Sequence, residues 1–295
     1  MKKRPKVSPV PKHRDYFQAH VAPWVGKFDQ AKGKKDLTVL VSSDHHSQWL
    51  DKFTWHVFLD TAKRMKPDVI VLNGDVLDCH DLSRYPKDPT APKDLQGEVN
   101  FVRNGMLKPL REACPDTQID WIEGNHEWRL IKYLTDQAPG LAGLRSLEFG
   151  PLMGLDDYEV NVVARRGFRR ESPRIADKRN FKVYGDRALI VTHGSHCGSN
   201  PARTELMKWG ITGISGHLHR PHVASTGDLF ETHTWTVTGA MCRRELADTY
   251  NENPVGWSNG FAYAEISGSR AIVTSVVVND GFTSVAGKRY YAPGR

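Results

Sequence analysis

Three short apolar runs, separated by helical segments, are the feature that most restricts the fold of this chain. The runs LTVLVSS (37–43), DVIVLNGD (68–75) and QIDWIEGNHE (118–127) have the composition and length of buried strands. Apolar residues at helical spacing fill the segments between them, 51–66 and 95–114. Strands and helices that alternate in this way form parallel sheets with right-handed crossovers. The first half of the chain is therefore predicted to be a parallel α/β sheet.

The second half of the chain is richer in strands. The segment FKVYGDRALIVTHG (181–194) predicts two strands around a turn at Gly185-Asp186. Further strands are predicted at 211–219, 232–241, 260–267 and 271–278, and helices at 128–138 and 202–210. The predicted fold class is α/β, a layered sandwich of mixed sheets with an antiparallel later part, and we expect a single domain over 36–295.

Positive charge is concentrated in two segments of the chain. The formal net charge is +7, and residues 1–35 hold ten lysines and arginines against two aspartates. Residues 165–180 hold seven against two acids, so the remainder is net negative. Localised basic segments favour a polyanionic partner, nucleic acid first, although a solvated tail and a solvated loop explain the same pattern. We expect a loosely ordered basic arm over 1–35 and a basic insertion at 165–180.

The composition excludes several classes of protein. With 39% hydrophobic and 25% charged residues, the chain is typical of globular proteins. No apolar stretch approaches the roughly 20 residues of a membrane-crossing helix, and the basic N-terminus lacks the apolar core of a signal peptide. The four cysteines have no paired spacing and are interpreted as reduced thiols. We therefore expect a cytoplasmic protein with no membrane partner.

Five of the predicted strands end in residues that can bind metals. In open α/β sheets, ligands bind beyond the carboxyl ends of the strands. A single histidine there is weak evidence, but chance does not explain the same placement at five strand ends. The clusters are Asp44-His45-His46, Asn73-Gly74-Asp75 with Asp78, Gly124-Asn125-His126-Glu127, His193-Gly194 and Gly216-His217-Leu218-His219.

These residue types favour two divalent metal ions. Mixed carboxylate, imidazole and amide donors suit Mn, Fe, Zn, Ni or Co better than an all-oxygen calcium site or a thiolate zinc site. Two ions about 3.5–4 Å apart need a bridging acid and an open face for substrate. In an extended chain alternate residues face the same side, so Asp44 and His46 can share an ion while His45 points away. The same alternation puts His217 and His219 on one side.

The ordered series D-x-H, GDxxD, GNH[E/D], H and GHxH resembles that of the calcineurin-like metallophosphoesterases, and it extends from about residue 37 to 240. The letters DHH also name another phosphoesterase superfamily, but that family needs acidic motifs upstream, where this chain has its basic arm. The resemblance implies an α-β-β-α sandwich. It also implies two divalent metal ions, with manganese favoured and iron, zinc, nickel, cobalt or magnesium as alternatives.

The resemblance implies roles for the clustered residues. The two ions would be held by Asp44, His46 and His219 for the first, by Asn125, His193 and His217 for the second, and by Asp75 for both. A hydroxide held between the ions would attack phosphorus in line, without a covalent intermediate. His126 would donate a proton to the leaving oxygen, and Asp78 would orient His126.

The segment after the GDxxD motif bears on the substrate. Cys79 follows the last acid, where the phosphoprotein phosphatase branch has an arginine, which argues against protein-phosphatase activity. The insertion CHDLSRYPKDP (79–89) and the motif GNHEWRL resemble phage- and prophage-encoded members instead. Arginine suits phosphate oxygens because its planar group binds them bidentately. The predicted substrate contacts are His80, Arg84, Arg129, Arg165, Arg166 and Arg169.

We therefore expect a metal-dependent hydrolase of phosphodiesters, with DNA or RNA as first choice. The alternative substrates are a phosphomonoester or a small cyclic nucleotide. An inactive scaffold or nucleic-acid-binding protein is a third hypothesis, against which the full ligand set and His126 argue. If the protein is phage-encoded, its location is the host cytoplasm.

Overall fold

The order of strands and helices follows the predicted alternation. The structure, a computed structural model, describes residues 28, 30–31, 33–84, 94–163, 181–229, 231–249 and 255–294. Its strands are β1 Asp36–Ser42, β2 Val69–Asn73, β3 Gln118–Ile122, β4 Val160–Val163, β5 Phe181–Tyr184, β6 Leu189–Thr192, β7 Gly213–Ser215, β8 His222–Gly227, β9 Thr232–Val237, β10 Asn259–Ser267, β11 Arg270–Val278, β12 Phe282–Val285 and β13 Lys288–Tyr291. Its α-helices are α1 Lys52–Met65, α2 Leu95–Phe101, α3 Lys108–Ala113, α4 Glu127–Gln137, α5 Phe149–Met153, α6 Pro201–Trp209 and α7 Leu246–Thr249.

Shorter helical turns connect these elements. A π-helical segment, Val102–Leu107, joins α2 to α3, so the predicted helix over 95–114 is continuous but changes its winding before Pro109. Turns of 3-10 helix lie at Ser47–Trp49, His80–Leu82, Arg145–Leu147 and Leu155–Tyr158. None of the helices in the described segments combines the length and hydropathy needed to cross a bilayer.

The first sheet has the strand order β11-β10-β1-β2-β3-β4, and the second has the order β5-β6-β7-β9-β8. Strands β1 to β4 pair in parallel, which confirms the predicted parallel sheet. The expected antiparallel later part is confirmed for the pairs β5–β6, β8–β9, β10–β11 and β12–β13, but it is not the whole arrangement. Strands β10 and β11 extend the first sheet at β1. In the second sheet β6 and β7 are parallel because α6 connects them as a crossover, and β7 and β9 are also parallel.

Alternate residues of β1 face two different layers. Val39 and Val41 belong to the buried cluster between the sheets, together with Ile214 of β7. Leu40 belongs to the cluster beneath the helices, together with Phe58 of α1. A third cluster packs α6 on the outer face of the second sheet. Each such buried aliphatic side chain contributes about 1.5–3 kcal/mol relative to exposure. The layers are thus helix, sheet, sheet, helix, which confirms the predicted fold class.

The ends of the helices follow from local sequence. The Asp51 carboxylate accepts the backbone N–H of Thr54 at 2.7 Å and caps α1. That helix ends at Lys66, whose φ is 47°, directly before Pro67. Helix α6 ends at Gly210, whose φ of 69° confirms the predicted stop.

A buried carboxylate of α4 holds the loops that follow β2 and β3. Glu127 Oε2 accepts the backbone N–H groups of Asp75 at 3.0 Å and Gly124 at 2.7 Å. Its Oε1 accepts those of Val76 at 2.7 Å and Leu77 at 3.2 Å. Because Glu127 is only 1% exposed, these backbone groups have little access to water and depend on the carboxylate.

A second buried carboxylate, Glu98 of α2, holds the next part of the same loop. Its Oε2 accepts the N–H groups of Asp78 at 3.0 Å and Cys79 at 2.9 Å. It also accepts the hydroxyl of Ser47 at 3.0 Å. The loop after β2 is therefore fixed by two helices at once.

We predict that Glu127→Gln lowers the free energy of unfolding by about 2–3 kcal/mol, because the amide NH₂ would face backbone donors that lose their acceptor. Urea unfolding of the two proteins measures the difference. The matched control is Glu245→Gln, which changes an exposed glutamate and should leave stability within about 0.5 kcal/mol. Equal stabilities of Glu127→Gln and wild type would contradict the role given to this carboxylate.

Candidate metal centre

The loops after β1, β2, β3, β6 and β7 meet at one edge of the sandwich. Ser43 Oγ donates to the carbonyl of Asn73 at 2.8 Å, within the first sheet. Asn73 Nδ2 then donates to the carbonyl of Thr192 at 2.9 Å, which links the two sheets. The backbone N–H of Gly216 donates to the carbonyl of His193 at 3.0 Å. The five strand ends that were predicted to share a crevice thus lie together.

Asp44, His46 and His219 are buried and converge at this edge. His219 Nε2 lies 3.3 Å from Asp44 Oδ1 and 3.3 Å from His46 Nε2. The other oxygen, Asp44 Oδ2, accepts the backbone N–H of His217 at 2.9 Å. The structure therefore brings together the three residues predicted to hold the first ion.

Asp75 lies between the two predicted groups. One potential ligand atom from each of Asp75, Asp44 and His46 lies within 4.8 Å of the other two, and the same holds for Asp75, His193 and His217. Asp75 Oδ2 is 3.1 Å from His193 Nε2. A bridging ligand requires a carboxylate that is shared in this way.

His193, Asn125 and His217 form the second group. His193 Nε2 lies 3.2 Å from Asn125 Oδ1, and the rings of His193 and His217 have centroids 5.2 Å apart. His217 Nε2 lies 3.4 Å from Cys197 Sγ. His217 Nδ1 is buried and has no hydrogen-bond partner in the part of the chain that the structure describes. A bound cation would satisfy this nitrogen.

The hydrogen bonds around two histidines decide which ring nitrogen can bind a metal. His193 Nδ1 donates to the carbonyl of Asn73 at 2.8 Å, which leaves Nε2 for an ion. His46 Nδ1 donates to Asp78 Oδ1 at 3.0 Å, which also leaves Nε2. Outer hydrogen bonds of this kind orient metal-binding imidazoles. With carboxylate, imidazole and amide donors, the residues fit two divalent transition-metal ions.

The acids and histidines of the centre shift one another's pKa values. Burial would raise the pKa of Asp75, but the adjacent imidazoles of His126 and His193, with a hydrogen bond from His193, hold it well below its usual range. Burial would lower the pKa of His193, but the charge and hydrogen bond of Asp75 raise it to about 10. Asp44 likewise has a lowered pKa because the charge and hydrogen bond of His219 outweigh burial. Buried carboxylates thus draw positive charge to this site, and divalent cations supply such charge.

His126 lies beside the first group, with its ring centroid 4.6 Å from that of His46. His126 Nδ1 donates to the carbonyl of Asp78 at 2.8 Å, and Asp78 Oδ1 is 3.2 Å away. Arg129 Nη2 donates to His126 Nε2 at 2.9 Å. Burial lowers the pKa of His126, and the charge of Arg129 acts in the same direction, so His126 accepts from Arg129 as a neutral ring.

His45 points away from the centre. Its Nε2 lies 2.9 Å from Ser42 Oγ, and its ring packs edge-on against Trp55. Burial lowers the pKa of His45 to about 3, so the ring is neutral at physiological pH. His45 thus lies on the opposite side from Asp44 and His46, as the alternation predicts.

An extended backbone was the predicted cause of this placement, and that prediction is wrong. Strand β1 ends at Ser42 and β7 ends at Ser215, so the motif residues are not extended. Left-handed φ values, from 51° to 74°, occur at Asp44, His46, Asp75, His217 and His219. Such a conformation costs about 1–2 kcal/mol per non-glycine residue. Strained backbone of this kind collects at functional sites, where surrounding contacts fix it.

Two glycines permit the close approach of the loops. Gly74 has a φ of +80°, and a Cβ there would collide with the ring of His193. A Cβ at Gly124 would collide with the backbone and carboxylate of Asp75. A side chain at either position would push apart residues of the centre.

A cleft of about 490 Å³ opens beside Asn125. One face of α4 forms a wall, and the segment after the His80–Leu82 turn lies opposite, where Arg84 Nη2 pairs with Asp136 Oδ2 at 3.0 Å. The cleft is lined by Leu82, Ser83, Arg84, Asn125, Trp128, Arg129, Lys132, Tyr133, Asp136 and Gln137. Three cations and two aromatic rings thus lie next to the centre.

The predicted substrate contacts fall into three groups. Arg84 and Arg129 line the cleft, whereas His80 does not. The three arginines of the basic insertion lie outside the described residues and remain predictions: Arg165, Arg166 and Arg169.

Sequence reasoning missed several residues around the centre. Glu127 was visible in the GNHE motif, but no local signal gives its four backbone partners. Trp128 and Lys132 could have been paired from their i,i+4 spacing, which puts them on one face of the predicted helix. Cys242 follows a predicted strand without any motif, yet its Sγ lies within 4.8 Å of a ring nitrogen of His46 and of one of His219.

Comparisons with known proteins bear on the identity of the chain. A family model described as calcineurin-like phosphoesterase matches residues 37–221. Curated protein sequences gave no significant match. Similar solved structures include a predicted phosphoesterase from Streptococcus pneumoniae TIGR4, which is 16% identical, with 88% of this chain and 100% of that chain covered and a TM-score of 0.36.

Two further solved structures are similar at the same level. A dimetal phosphatase from Danio rerio is 13% identical, with 82% of this chain and 96% of that chain covered and a TM-score of 0.42. A Vps29 single mutant from Entamoeba histolytica is 12% identical, with 86% and 99% covered and a TM-score of 0.39. The family model matches more than half of the chain and spans every motif of the predicted series. The chain therefore belongs to the calcineurin-like phosphoesterase family.

Proposed function

We propose that this protein is a metal-dependent phosphodiesterase whose first-choice substrate is DNA or RNA. The observation that carries the proposal is the buried group of acids and histidines that adjoins a cleft with cationic and aromatic walls. Membership of the family supports phosphoester hydrolysis in general. The preference for diesters and for nucleic acid rests on the cleft.

The proposed ligands are those that converge at the strand ends. One ion would be held by Asp44, His46 and His219, the other by Asn125, His193 and His217, and both by Asp75. When bound, two divalent ions polarise the phosphoryl group and activate water as a nucleophile. The carboxylate and imidazole donors alone allow manganese, iron, zinc, nickel or cobalt.

His126 would protonate the leaving oxygen. Its Nδ1 is held by Asp78, and its Nε2 accepts from Arg129 at the cleft. A phosphate oxygen that binds the Arg129 guanidinium would free Nε2, and the negative phosphoryl group would favour the protonated ring. Substrate binding would thus turn His126 from an acceptor into a proton donor.

The wall formed by α4 supports a substrate that extends beyond one phosphate. Trp128, Arg129, Lys132 and Tyr133 share one face of the helix, and Arg84 lies opposite. Cationic side chains bind the phosphate backbone, and exposed rings stack on bases without regard to sequence. A nucleic acid strand offers both kinds of group.

The alternative is a phosphomonoester or a cyclic nucleotide, which would use the metal centre but only part of the cleft. A scaffold without activity is the least favoured alternative, because the buried acids and histidines would then be costly without a function.

Metal binding tests the ligand assignment. Wild type should bind two transition-metal ions per chain, and His46→Ala should bind about one, because the first ion loses an imidazole. His45→Ala is the matched control and should retain two. Metal analysis of the folded, purified proteins gives the count. Loss of an ion from His45→Ala but not from His46→Ala would refute the assignment.

The proton donor is tested by His126→Ala. This variant should keep both ions, and its kcat should fall about 10²–10⁴-fold on a substrate whose leaving group is an alcohol of high pKa. The loss should be smaller on a nitrophenyl ester, whose leaving oxygen needs little protonation. Loss of an ion would show that His126 is a ligand and not the donor.

The substrate class is tested with paired substrates. Bis-para-nitrophenyl phosphate should be cleaved with at least about tenfold higher kcat/KM than the monoester, which corresponds to about 1.4 kcal/mol. Lys132→Glu should weaken binding of single-stranded DNA and reduce its salt slope by about one, with little effect on the small diester. Lys63→Glu, at an exposed position of α1, is the control. A preference for the monoester would overturn the diesterase proposal.

A further inference from the structure

We infer that Cys242 is an additional ligand of the first metal ion and makes this site selective for thiophilic metals. The inference rests on the proposed function and concerns the proposed binding site of the first ion, to which His46 and His219 belong. Cys242 Sγ, one ring nitrogen of His46 and one of His219 all lie within 4.8 Å of one another. Cys242 is 2% exposed, so its sulfur is shielded from solvent, and the residue also packs in an apolar cluster with Leu246 and Trp257.

The backbone around Cys242 is fastened directly to the loop after β1. The N–H of Met241 lies 3.0 Å from the carbonyl of Ser43 and 3.1 Å from that of Asp44. Cys242 itself forms a β-bridge with Leu50. The position of the sulfur relative to the first ion group is therefore set by backbone hydrogen bonds.

A side chain also holds the carbonyl group of Cys242. Asn259 Nδ2 donates to the carbonyl of Cys242 at 2.7 Å and to that of Ala240 at 3.1 Å. These bonds fix the backbone that carries the Cys242 side chain, and a metal ligand requires such a rigid position.

The chemistry of sulfur predicts the consequence. On binding, the S–H bond breaks, a metal–sulfur bond forms and the proton leaves to solvent. Thiolate prefers zinc, iron or cobalt to manganese or magnesium. A site with Cys242 would thus favour zinc, iron or cobalt among the metals that the carboxylates and imidazoles allow.

Cys197 provides an internal comparison. It is exposed, and its Sγ lies 3.4 Å from His217 Nε2, on the side of the second ion group. Cys114 is buried at the end of α3, and it belongs to none of the described groups that could hold a metal. Replacement of Cys197 therefore tests for a sulfur ligand of the second ion, and replacement of Cys114 tests the effect of a thiol outside the site.

X-ray absorption of the zinc-loaded wild-type protein tests the inference without any variant. A sulfur shell at about 2.3 Å is expected, in addition to nitrogen and oxygen at about 2.0–2.2 Å. The cobalt-loaded protein should show a thiolate-to-cobalt charge-transfer band in the near ultraviolet. Both signals should survive Cys197→Ser and Cys114→Ser and should disappear in Cys242→Ser and Cys242→Ala.

The competition between metals gives a second readout. Cys242→Ala should weaken zinc binding by about tenfold or more and should change manganese binding much less. If both Cys242 variants fail to fold, persistence of the sulfur shell in each of Cys79→Ser, Cys114→Ser and Cys197→Ser assigns it to Cys242 by elimination, and its disappearance in any one of them overturns the inference.

The outcomes separate this inference from the proposed function. A wild-type protein that binds two ions without a sulfur shell overturns the role of Cys242 and leaves the proposed metal centre intact. A sulfur shell that depends on Cys197 also overturns it. A wild-type protein that binds no ion, even after reconstitution, refutes the proposed function itself.

Discussion

Four backbone N–H groups, from two separate loops, donate to the single buried carboxylate of Glu127. In loops that follow parallel strands, backbone N–H groups have no acceptor in the sheet, and burial prevents water from acting as the acceptor. One carboxylate meets the need of both loops, so the position of Asp75 relative to Asn125 and His126 depends on it. The left-handed backbone at Asp75, with a φ of 51°, is tolerated because these bonds hold it.

Electrostatics and backbone geometry reinforce each other in the centre. Asp44, Asp75 and Asp78 are buried within reach of several histidines, and each has a lowered pKa because interactions with those histidines outweigh burial. A cluster of this kind is stable only as a complete set, since removal of one partner leaves a buried charge unpaired. The cleft with its arginines and lysine then lies beside a centre whose acids are paired with histidines, which suits a substrate that brings its own negative charge.

Much of this arrangement could be predicted because its signals are local. Each strand is a short apolar run, and each group of candidate ligands follows directly after one, so parallel pairing brings them to one edge. His45 was correctly predicted to point away from Asp44 and His46, but for the wrong reason. The prediction assumed the two-residue alternation of an extended strand, whereas left-handed backbone at Asp44 and His46 gives the same placement. The polar, largely exposed β8 carries no strand pattern and was missed.

The remaining features arise from contacts between distant parts of the chain. The Glu98 carboxylate reaches Asp78 across 20 positions, and Cys242 reaches the loop after β1 across nearly 200. No periodicity or motif reports such contacts, because tertiary packing alone creates them. The placement of β10 beside β1 has the same origin. The composition of β10 predicts a strand, but it does not tell which strand will be its partner.

The pairing of β1 with both β2 and β10 has a consequence for the order of assembly. Strand β1 is completed on one side by the next strand in the chain and on the other by a strand that begins at Asn259. His46 and His219 are 173 positions apart, and contacts of such long range form late because their loops are costly to close. On the ribosome, the nascent chain must therefore emerge past His219 and β10 before the site is complete, and we expect metal to enter the finished fold and not to template it.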